Sequence, residues 1–272
     1  MKFIISHDVD HLYGRDHWLR DLIYPKLWVK NILHIAQRKI TVKEAWLRGT
    51  SCFQKNRHCL EQVMSFDRKY GVPSAFFFGM NQGLGMSYYP EEAKPAIQMV
   101  HDGGFAVGVH GIEYDSAEGI DREHHTFNEL MGFEPCGIRM HYVRFCADTL
   151  RYEDEAGYVF DSSEFDKKVN GTIKAPYKQG NIWEFPLTIM DGYLTQDLEK
   201  AKKETLERLQ VCREKGMEYV SVLFHDYQFN DGYTAIRDWY KWLIQMIAAS
   251  ETDSFISYED AIKELEAERC QK

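Results

Sequence analysis

The 272-residue sequence predicts a single α/β domain, in which a β/α barrel is favoured over an open sheet. Short runs of apolar, β-branched and aromatic residues recur along the chain, and several of them alternate with helical patterns. Strands that alternate with helices pair in parallel through crossover connections. The sequence has no internal repeat, low-complexity stretch or linker rich in Pro, Gly and Ser, so we expect residues 1–272 to form one domain.

Eight runs are predicted to be strands because each is short and apolar and ends in polar residues. They are KFIIS (2–6), SAFFFG (74–79), FAVGVH (105–110), GIRMHY (137–142), YVFDSS (158–163), WEFPLTIMD (183–191), YVSVLFHD (219–226) and SFIS (254–257). Helical patterns over 90–102, 197–215 and 233–249 lie between them, with Asp197 as a predicted N-cap and Gly216 as a predicted stop. Seven or eight such units favour a barrel.

Residues 13–60 form a long helical insert after the first strand, and its charge differs from that of the rest of the chain. Positions 15–57 carry ten Lys and Arg against three Asp and Glu, about +7 in a chain of net charge −9. A basic amphipathic helix bearing Trp18, Trp28 and Trp46 is suited to an anionic membrane surface. The alternative is a packed lid or a dimer contact, because aromatic residues at helical spacing usually belong to a core.

The composition limits the kinds of partner that the protein is expected to bind and the cellular compartment in which it is expected. The 33 Lys and Arg against 42 Asp and Glu argue against nucleic acid, because phosphate binding needs a basic surface. The six cysteines show neither CxxC pairing nor a compact framework, which is typical of free thiols in a reducing compartment. The N-terminus lacks the features of a signal peptide, and no segment reaches the ~18 continuous apolar residues of a membrane span. We therefore expect a cytoplasmic protein.

Polar side chains gather at the carboxyl ends of the predicted strands, which is the face that carries the active site in β/α barrels. A single polar strand end, such as Asp161 or Ser162, is well explained as a helix cap. Five strands that end in His or Asp have no such structural need. The remaining polar ends are His7, Asp8, Asp10 and His11, then His110, then Arg139 and His141, then Asp191, and finally His225 and Asp226.

Asp8 and Asp10 stand two residues apart in the first strand, so an extended backbone directs both to one face while Val9 points away. Two neighbouring carboxylates repel each other unless a cation neutralises them or one of them stays protonated. His and Asp are ordinary ligands of Zn²⁺ and related ions, so the pair indicates a metal site. The alternative is that both acids cap a turn and pair with the basic insert.

These residues resemble the motifs of the polysaccharide deacetylases, also called the NodB-homology domain or carbohydrate esterase family 4. ISHDVDH resembles the first motif of the family and GVHGIEYDS the second. GIRMHYVRF stands where the family has its arginine motif, and VLFHDYQF resembles the last motif. The resemblance covers nearly the whole chain apart from the insert. It implies a distorted (β/α)7, TIM-like barrel and hydrolysis of the N-acetyl group of an amino sugar with a divalent ion, for which zinc is the expected metal.

The resemblance also implies a role for each matching residue. Asp8 is expected to be the catalytic base, with Arg139 as its partner. His225 is expected to be the general acid, and Asp191 is a looser match to the group that orients it. The matching metal ligands are Asp10 and His110.

The second metal histidine of the family is missing from its usual place, four residues after the first, where this chain has Tyr114. Asp115 is one residue further on and is one candidate to replace it. His141 is the better candidate because it lies two residues from Arg139 and therefore on the same face of the strand. We hypothesise a metal triad of Asp10, His110 and His141.

Aromatic residues near the mouth of the barrel, among them Tyr142, Tyr114 and Trp183, are candidates for stacking on a sugar ring, with packing as the alternative role. The implied substrate is an N-acetylated sugar in a glycan or in a lipid- or nucleotide-linked precursor. Two other functions remain open: a metal-independent C–N amidohydrolase on the same fold, which Tyr114 favours, and a catalytically silent glycan-binding protein.

Overall fold

The computed structural model describes residues 1–16, 22–167 and 172–270, which form ten strands and nine α-helices. The strands are β1 (Lys2–Val9), β2 (Ala75–Gly79), β3 (Ala106–Gly111), β4 (Ile138–Met140), β5 (Phe160–Asp161), β6 (Tyr177–Gln179), β7 (Ile182–Glu184), β8 (Leu187–Met190), β9 (Tyr219–Leu223) and β10 (Ser254–Phe255). The helices are α1 (Ile23–Ala36), α2 (Val42–Thr50), α3 (Leu60–Lys69), α4 (Pro90–Asp102), α5 (Ala117–Met131), α6 (Thr149–Ala156), α7 (Leu198–Glu214), α8 (Thr234–Ala248) and α9 (Tyr258–Cys270).

All ten strands belong to one curled sheet with the order β6–β7–β5–β4–β3–β2–β1–β9–β8, and β10 pairs with β1. The pairings are parallel except for the β6–β7 hairpin. Strands β6 and β8 stand at the two ends of this order, so the sheet does not close on itself. It forms a curled half-barrel with helices around it. The predicted distorted barrel is confirmed.

The central strand β1 is buried on both sides, as is usual for a parallel sheet covered by helices. Phe3, Ile5 and Val9 face the larger core beneath the surrounding helices, whereas Ile4 faces a smaller core inside the barrel. Asp8 follows Ile4 on the inner face, four residues along the strand. The alternation therefore delivers Asp8 to the barrel mouth and keeps Val9 in the core.

One predicted strand is split in two. WEFPLTIMD forms the end of β7 and then β8, and these pair with different neighbours. Pro186 lies at the break, where it has no N–H to donate to a ladder. Strand β6 was not predicted, because its sequence YKQ contains no apolar run. The residue that indicates a hairpin here is Gly180, whose φ of +62° allows the tight turn between β6 and β7.

The three predicted helices are confirmed within a residue or two of their expected bounds. Helix α4 spans Pro90–Asp102, and α7 spans Leu198–Glu214. The side chain of Asp197 caps α7 by accepting a hydrogen bond from the N–H of Lys200 at 3.2 Å. Helix α8 buries an apolar face that includes Trp239 and Tyr240.

The insert is helical, as expected, and it consists of α1 and α2 followed by a short 3₁₀ turn over Ser51–Phe53. Helix α2 begins with a capping box in which Thr41 and Glu44 exchange hydrogen bonds. Trp18 lies outside the described residues. None of the described helices is both long enough and apolar enough to pass through a membrane. The cysteines whose side chains are described are free thiols, as predicted; they are Cys59, Cys136, Cys146, Cys212 and Cys270.

Candidate active site and metal centre

Three side chains from different elements meet at the mouth of the barrel. Asp10 follows β1, His110 ends β3, and His141 begins a 3₁₀ turn directly after β4. Asp10 Oδ1 lies 3.2 Å from His110 Nε2 and 3.3 Å from His141 Nδ1, and the two imidazole nitrogens are 3.0 Å apart. The three side chains form a group with the ligand types and the close spacing of a metal site.

The hydrogen-bond partners of the two imidazoles fit a cation between them. His110 Nδ1 lies 2.9 Å from the carbonyl oxygen of Arg139, and His141 Nε2 lies 3.3 Å from that of Leu84. A carbonyl only accepts, so both of these nitrogens carry hydrogen. In the neutral rings the other two nitrogens are then lone pairs, and they face each other and Asp10. A divalent ion would satisfy all three, and backbone carbonyls that fix the ring tautomers are typical partners of metal-bound histidines.

The charges of this group are coupled. Burial alone raises the pKa of the Asp10 carboxyl, but His141, His110 and His225 together hold it well below its ordinary value. Burial lowers the pKa of His110, and the carboxylates of Asp8 and Asp10 more than offset this, so the pKa is raised. Oδ1 of Asp10 is buried without a hydrogen-bond donor, which is the condition of a carboxylate oxygen that a cation completes.

Of the two candidates for the missing ligand, the structure brings His141 into the group and leaves Asp115 on the surface. His141 does not lie in the strand, as the periodicity indicated, but in the turn that follows it. Tyr114 packs its ring against Arg144, with the guanidinium carbon 4.6 Å from the ring centre, and does not line the cavity. The predicted sugar-binding role of Tyr114 has no support in this placement.

Asp8 is held beside the metal group by a buried arginine. Arg139 Nη1 lies 3.4 Å from Asp8 Oδ1, and Asp8 Oδ2 lies 3.6 Å from His110 Nε2. Arg139 is itself fixed by hydrogen bonds to the carbonyl and hydroxyl of Ser162 and to the Tyr258 hydroxyl, at 2.8, 2.9 and 2.9 Å. With four hydrogen bonds from its three nitrogens, Arg139 keeps one geometry and orients the carboxylate of Asp8.

His225 approaches the same space from the opposite side. Its Nδ1 lies 2.6 Å from Asp191 Oδ1, and its Nε2 is 3.7 Å from Asp10 Oδ2. Asp191 Oδ2 accepts further hydrogen bonds from the backbone N–H of His225 and from Gln228 Nε2, both at 2.8 Å. Burial lowers the pKa of His225, but Asp191 and the other acids raise it to about 10. The sequence did not single out Gln228, although it lies three residues after His225.

A cavity of about 600 Å³ opens above these residues, and the insert supplies one of its walls. Tyr142 lines the cavity, and its ring is tilted by 42° against that of His141, with the ring centres 4.2 Å apart. Trp183 is buried in the inner core and donates a hydrogen bond to Glu266. Tyr142 has a φ of +59°, an uncommon conformation of the kind that concentrates at functional sites. The wall residues from the insert are Ile23, Lys26, Leu27, Lys30, Asn31, His34, Arg48 and Arg57.

No family model and no curated protein matches the sequence. Among solved structures, a Mycobacterium smegmatis protein assigned to the polysaccharide deacetylases superposes with a TM-score of 0.66 at 16% identity, over 98% of this chain and 91% of the other. A Pseudomonas aeruginosa PAO1 protein with the same assignment gives 0.59 at 14% identity, over 95% and 88%. The fold is the one these polysaccharide deacetylases share. Puue allantoinase gives the same score, 0.59 at 14% identity over 95% and 87%, so the fold alone does not define an activity.

Proposed function

We propose that the protein is a metal-dependent hydrolase that removes the N-acetyl group from an amino sugar in a glycan or in a lipid- or nucleotide-linked precursor. The observation that carries the proposal is the cluster of Asp10, His110 and His141 between a buried carboxylate and a protonated imidazole. Amide hydrolysis needs a base for water, an acid for the amine and a stabilised oxyanion. Each of these has a candidate within one cavity.

Asp10, His110 and His141 are the residues that would hold the ion. Two imidazoles and one carboxylate suit zinc, and a site with three protein ligands is typical of catalytic zinc. When bound, a divalent ion supplies Lewis acidity to an acyl oxygen and makes nearby water more acidic.

Asp8 and His225 move the protons. Asp8 takes a proton from the water that attacks the acetyl carbon, while Arg139 fixes its orientation. Because Asp191 and the neighbouring acids raise the pKa of His225 to about 10, its ring carries a proton on both nitrogens. Nδ1–H donates to Asp191, and Nε2–H gives its proton to the amine nitrogen when the C–N bond breaks. The products are acetate and the free amine.

The experiment that tests the proposal combines metal analysis with an assay of acetate release from N-acetylated amino sugars. We expect about one ion per chain, activity that is lost on chelation and restored by zinc, and little metal in His141→Ala. Asp8→Asn is the matched control, because it removes the base and leaves the three ligands. Activity that survives chelation would indicate the metal-independent amidohydrolase, and glycan binding without acetate release would indicate a silent protein.

The outer face of the insert supports a contact with an anionic membrane surface, which we also propose. Trp28, Val29, Ile32, Leu33 and Trp46 are exposed there, Trp46 with 71% of its surface accessible. Apolar side chains beside basic ones are typical of helices that lie in the membrane interface. Flotation with anionic vesicles at low salt tests this: Trp46→Glu should weaken binding, and absence of binding by the unchanged protein would refute it. The cytoplasmic location stays a prediction.

A further inference from the structure

Two buried arginines lie in the wall that the insert gives to the active-site cavity. Arg48 belongs to α2, and Arg57 follows the 3₁₀ turn, with 6% and 7% of their surfaces accessible. The backbone N–H of Arg57 donates to the carbonyl of Leu12 at 2.8 Å, which ties this position to the loop that follows β1. Both arginines therefore line the cavity that contains Asp8 and Asp10, and Arg57 is anchored next to the strand that carries these acids.

Neither arginine has a carboxylate partner in the described parts of the chain. The Arg57 guanidinium lies 5.3 Å from the ring centre of Tyr24 and 5.6 Å from that of Tyr227, and its Nε and Nη1 are buried without a hydrogen-bond acceptor. Arg48 lies 4.3 Å from the ring centre of Tyr233 and donates only to a backbone carbonyl and a side-chain amide. Aromatic faces stabilise a cation only in part, so neither positive charge is matched by a negative one among the described residues.

This arrangement contrasts with Arg139, which is equally buried but faces Asp8. Burying a charge without a partner costs several kcal/mol, so proteins rarely do so except where a ligand supplies the opposite charge. Further positive charge gathers at the same wall, because Lys30 on α1 also lines the cavity. The pKa of His34 is lowered by burial and then by the charges of Lys30 and Arg48.

The cavity is therefore divided by charge. At the barrel mouth, the carboxylates of Asp8, Asp10 and Asp191 are matched by His110, His141, Arg139 and His225. At the insert wall, Arg48, Arg57 and Lys30 have no matching acid among the described residues. The two parallel N–H groups of a guanidinium fit the oxygens of phosphate. A phosphoryl group can also carry more negative charge than a carboxylate and can therefore neutralise more than one cation.

We propose that Arg48 and Arg57 form a subsite for a phosphoryl group on the substrate, so that the enzyme deacetylates a phosphorylated amino sugar. This rests on the proposed function, since the same cavity must hold the N-acetyl group at the barrel mouth. The phosphoryl group is a phosphate ester on the sugar or a pyrophosphate link to a nucleotide or a lipid. The insert then acts as a specificity element whose inner wall selects the substrate by charge.

The test compares acetate release from N-acetylglucosamine, its 1-phosphate and its uridine-diphosphate conjugate. We expect a kcat/KM at least about 10-fold higher for one or both phosphorylated probes than for the neutral sugar, because charge-assisted hydrogen bonds are made only with them. The preferred probe distinguishes a phosphate ester from a pyrophosphate link. Arg57→Met should raise KM for the phosphorylated probes about 10-fold or more and affect the neutral sugar less, so that the preference for the phosphorylated probes falls. Arg151→Met, on the exposed face of α6, is the matched control.

A second measurement keeps the two proposals separate. Inorganic pyrophosphate binding to chelated protein is measured by calorimetry, which removes any contribution from a metal. Pyrophosphate binding that Arg57→Met weakens about 10-fold supports the subsite, even if no probe is deacetylated. In that case the proposed deacetylase function is wrong and the phosphoryl subsite stands. Equal turnover of neutral and phosphorylated sugars, unaffected by Arg57→Met, overturns the subsite and leaves the deacetylase standing. Thermal unfolding of each variant checks that it is folded.

Discussion

A second group of acids, which contains none of the metal ligands, gives a sharp prediction about stability. Glu153 on α6, Asp161 on β5 and Glu184 on β7 are all fully buried. Both carboxyl oxygens of Glu153 lack a hydrogen-bond donor. Burial first, and then the charges of Asp161 and Glu184, raise the pKa of Glu153 well above the ordinary value of 4.5. Glu153 is therefore protonated in the folded protein at pH values where the unfolded chain has released that proton.

The sign and size of the effect follow from this difference. The contribution of Glu153 to stability is complete below about pH 4.5 and is lost as the pH rises toward the raised value in the folded state. While the folded state holds one extra proton, the free energy of unfolding falls by about 1.4 kcal/mol for each pH unit. Glu153→Gln keeps the shape and removes the titration. The difference in free energy of unfolding between Glu153→Gln and the unchanged protein should therefore move in favour of the variant by about 1.4 kcal/mol as the pH rises from about 5 to about 6.

Urea unfolding followed by circular dichroism at several pH values in this range measures the difference. Glu155→Gln is the matched control, because Glu155 lies on the same helix but is exposed and paired with Arg151. The control should shift the free energy of unfolding by less than about 0.5 kcal/mol at every pH. A gap between Glu153→Gln and the unchanged protein that stays constant with pH would refute the assignment of a buried, protonated Glu153.

Three further outcomes test the site and the core. Asp8→Asn should lower kcat by about 10²–10⁴-fold in the acetate assay with its metal content unchanged, and loss of the ion would contradict the division of labour between Asp8 and Asp10. Asp191→Asn should lower kcat/KM by about 10²-fold or more, because His225 loses the negative charge that lies 2.6 Å from its Nδ1. Activity within about twofold of the unchanged protein would show that Asp191 has no part in catalysis. Phe127→Ala should cost about 3–5 kcal/mol in urea unfolding, since this side chain of α5 is fully buried, and a loss below about 1 kcal/mol would mean that the core refills the space.

Local sequence decided much of the architecture. Short apolar runs predicted the parallel strands, and capping signals such as Asp197 predicted helix bounds, because both depend on neighbours only a few residues away. The period of two in β1 also placed Asp8 and Asp10 on one face of the strand. Strand β6 and the break at Pro186 were missed, because pairing partners decide where a short polar strand forms and which ladder a residue joins.

By itself, the sequence favoured a barrel over an open sheet and determined which side chains stand at the strand ends, since side-chain type and backbone period are local properties. The resemblance of its motifs to those of the polysaccharide deacetylases implied that Asp10 and His110 are metal ligands, and it left two candidates open for the missing ligand. Only the tertiary structure decided between Asp115 and His141, because that choice depends on the turn after β4, which directs the His141 side chain toward Asp10 and His110. Tertiary structure alone also brought Arg48 and Arg57 into the cavity, since the fold of the insert over the barrel sets which of its many cations face the substrate.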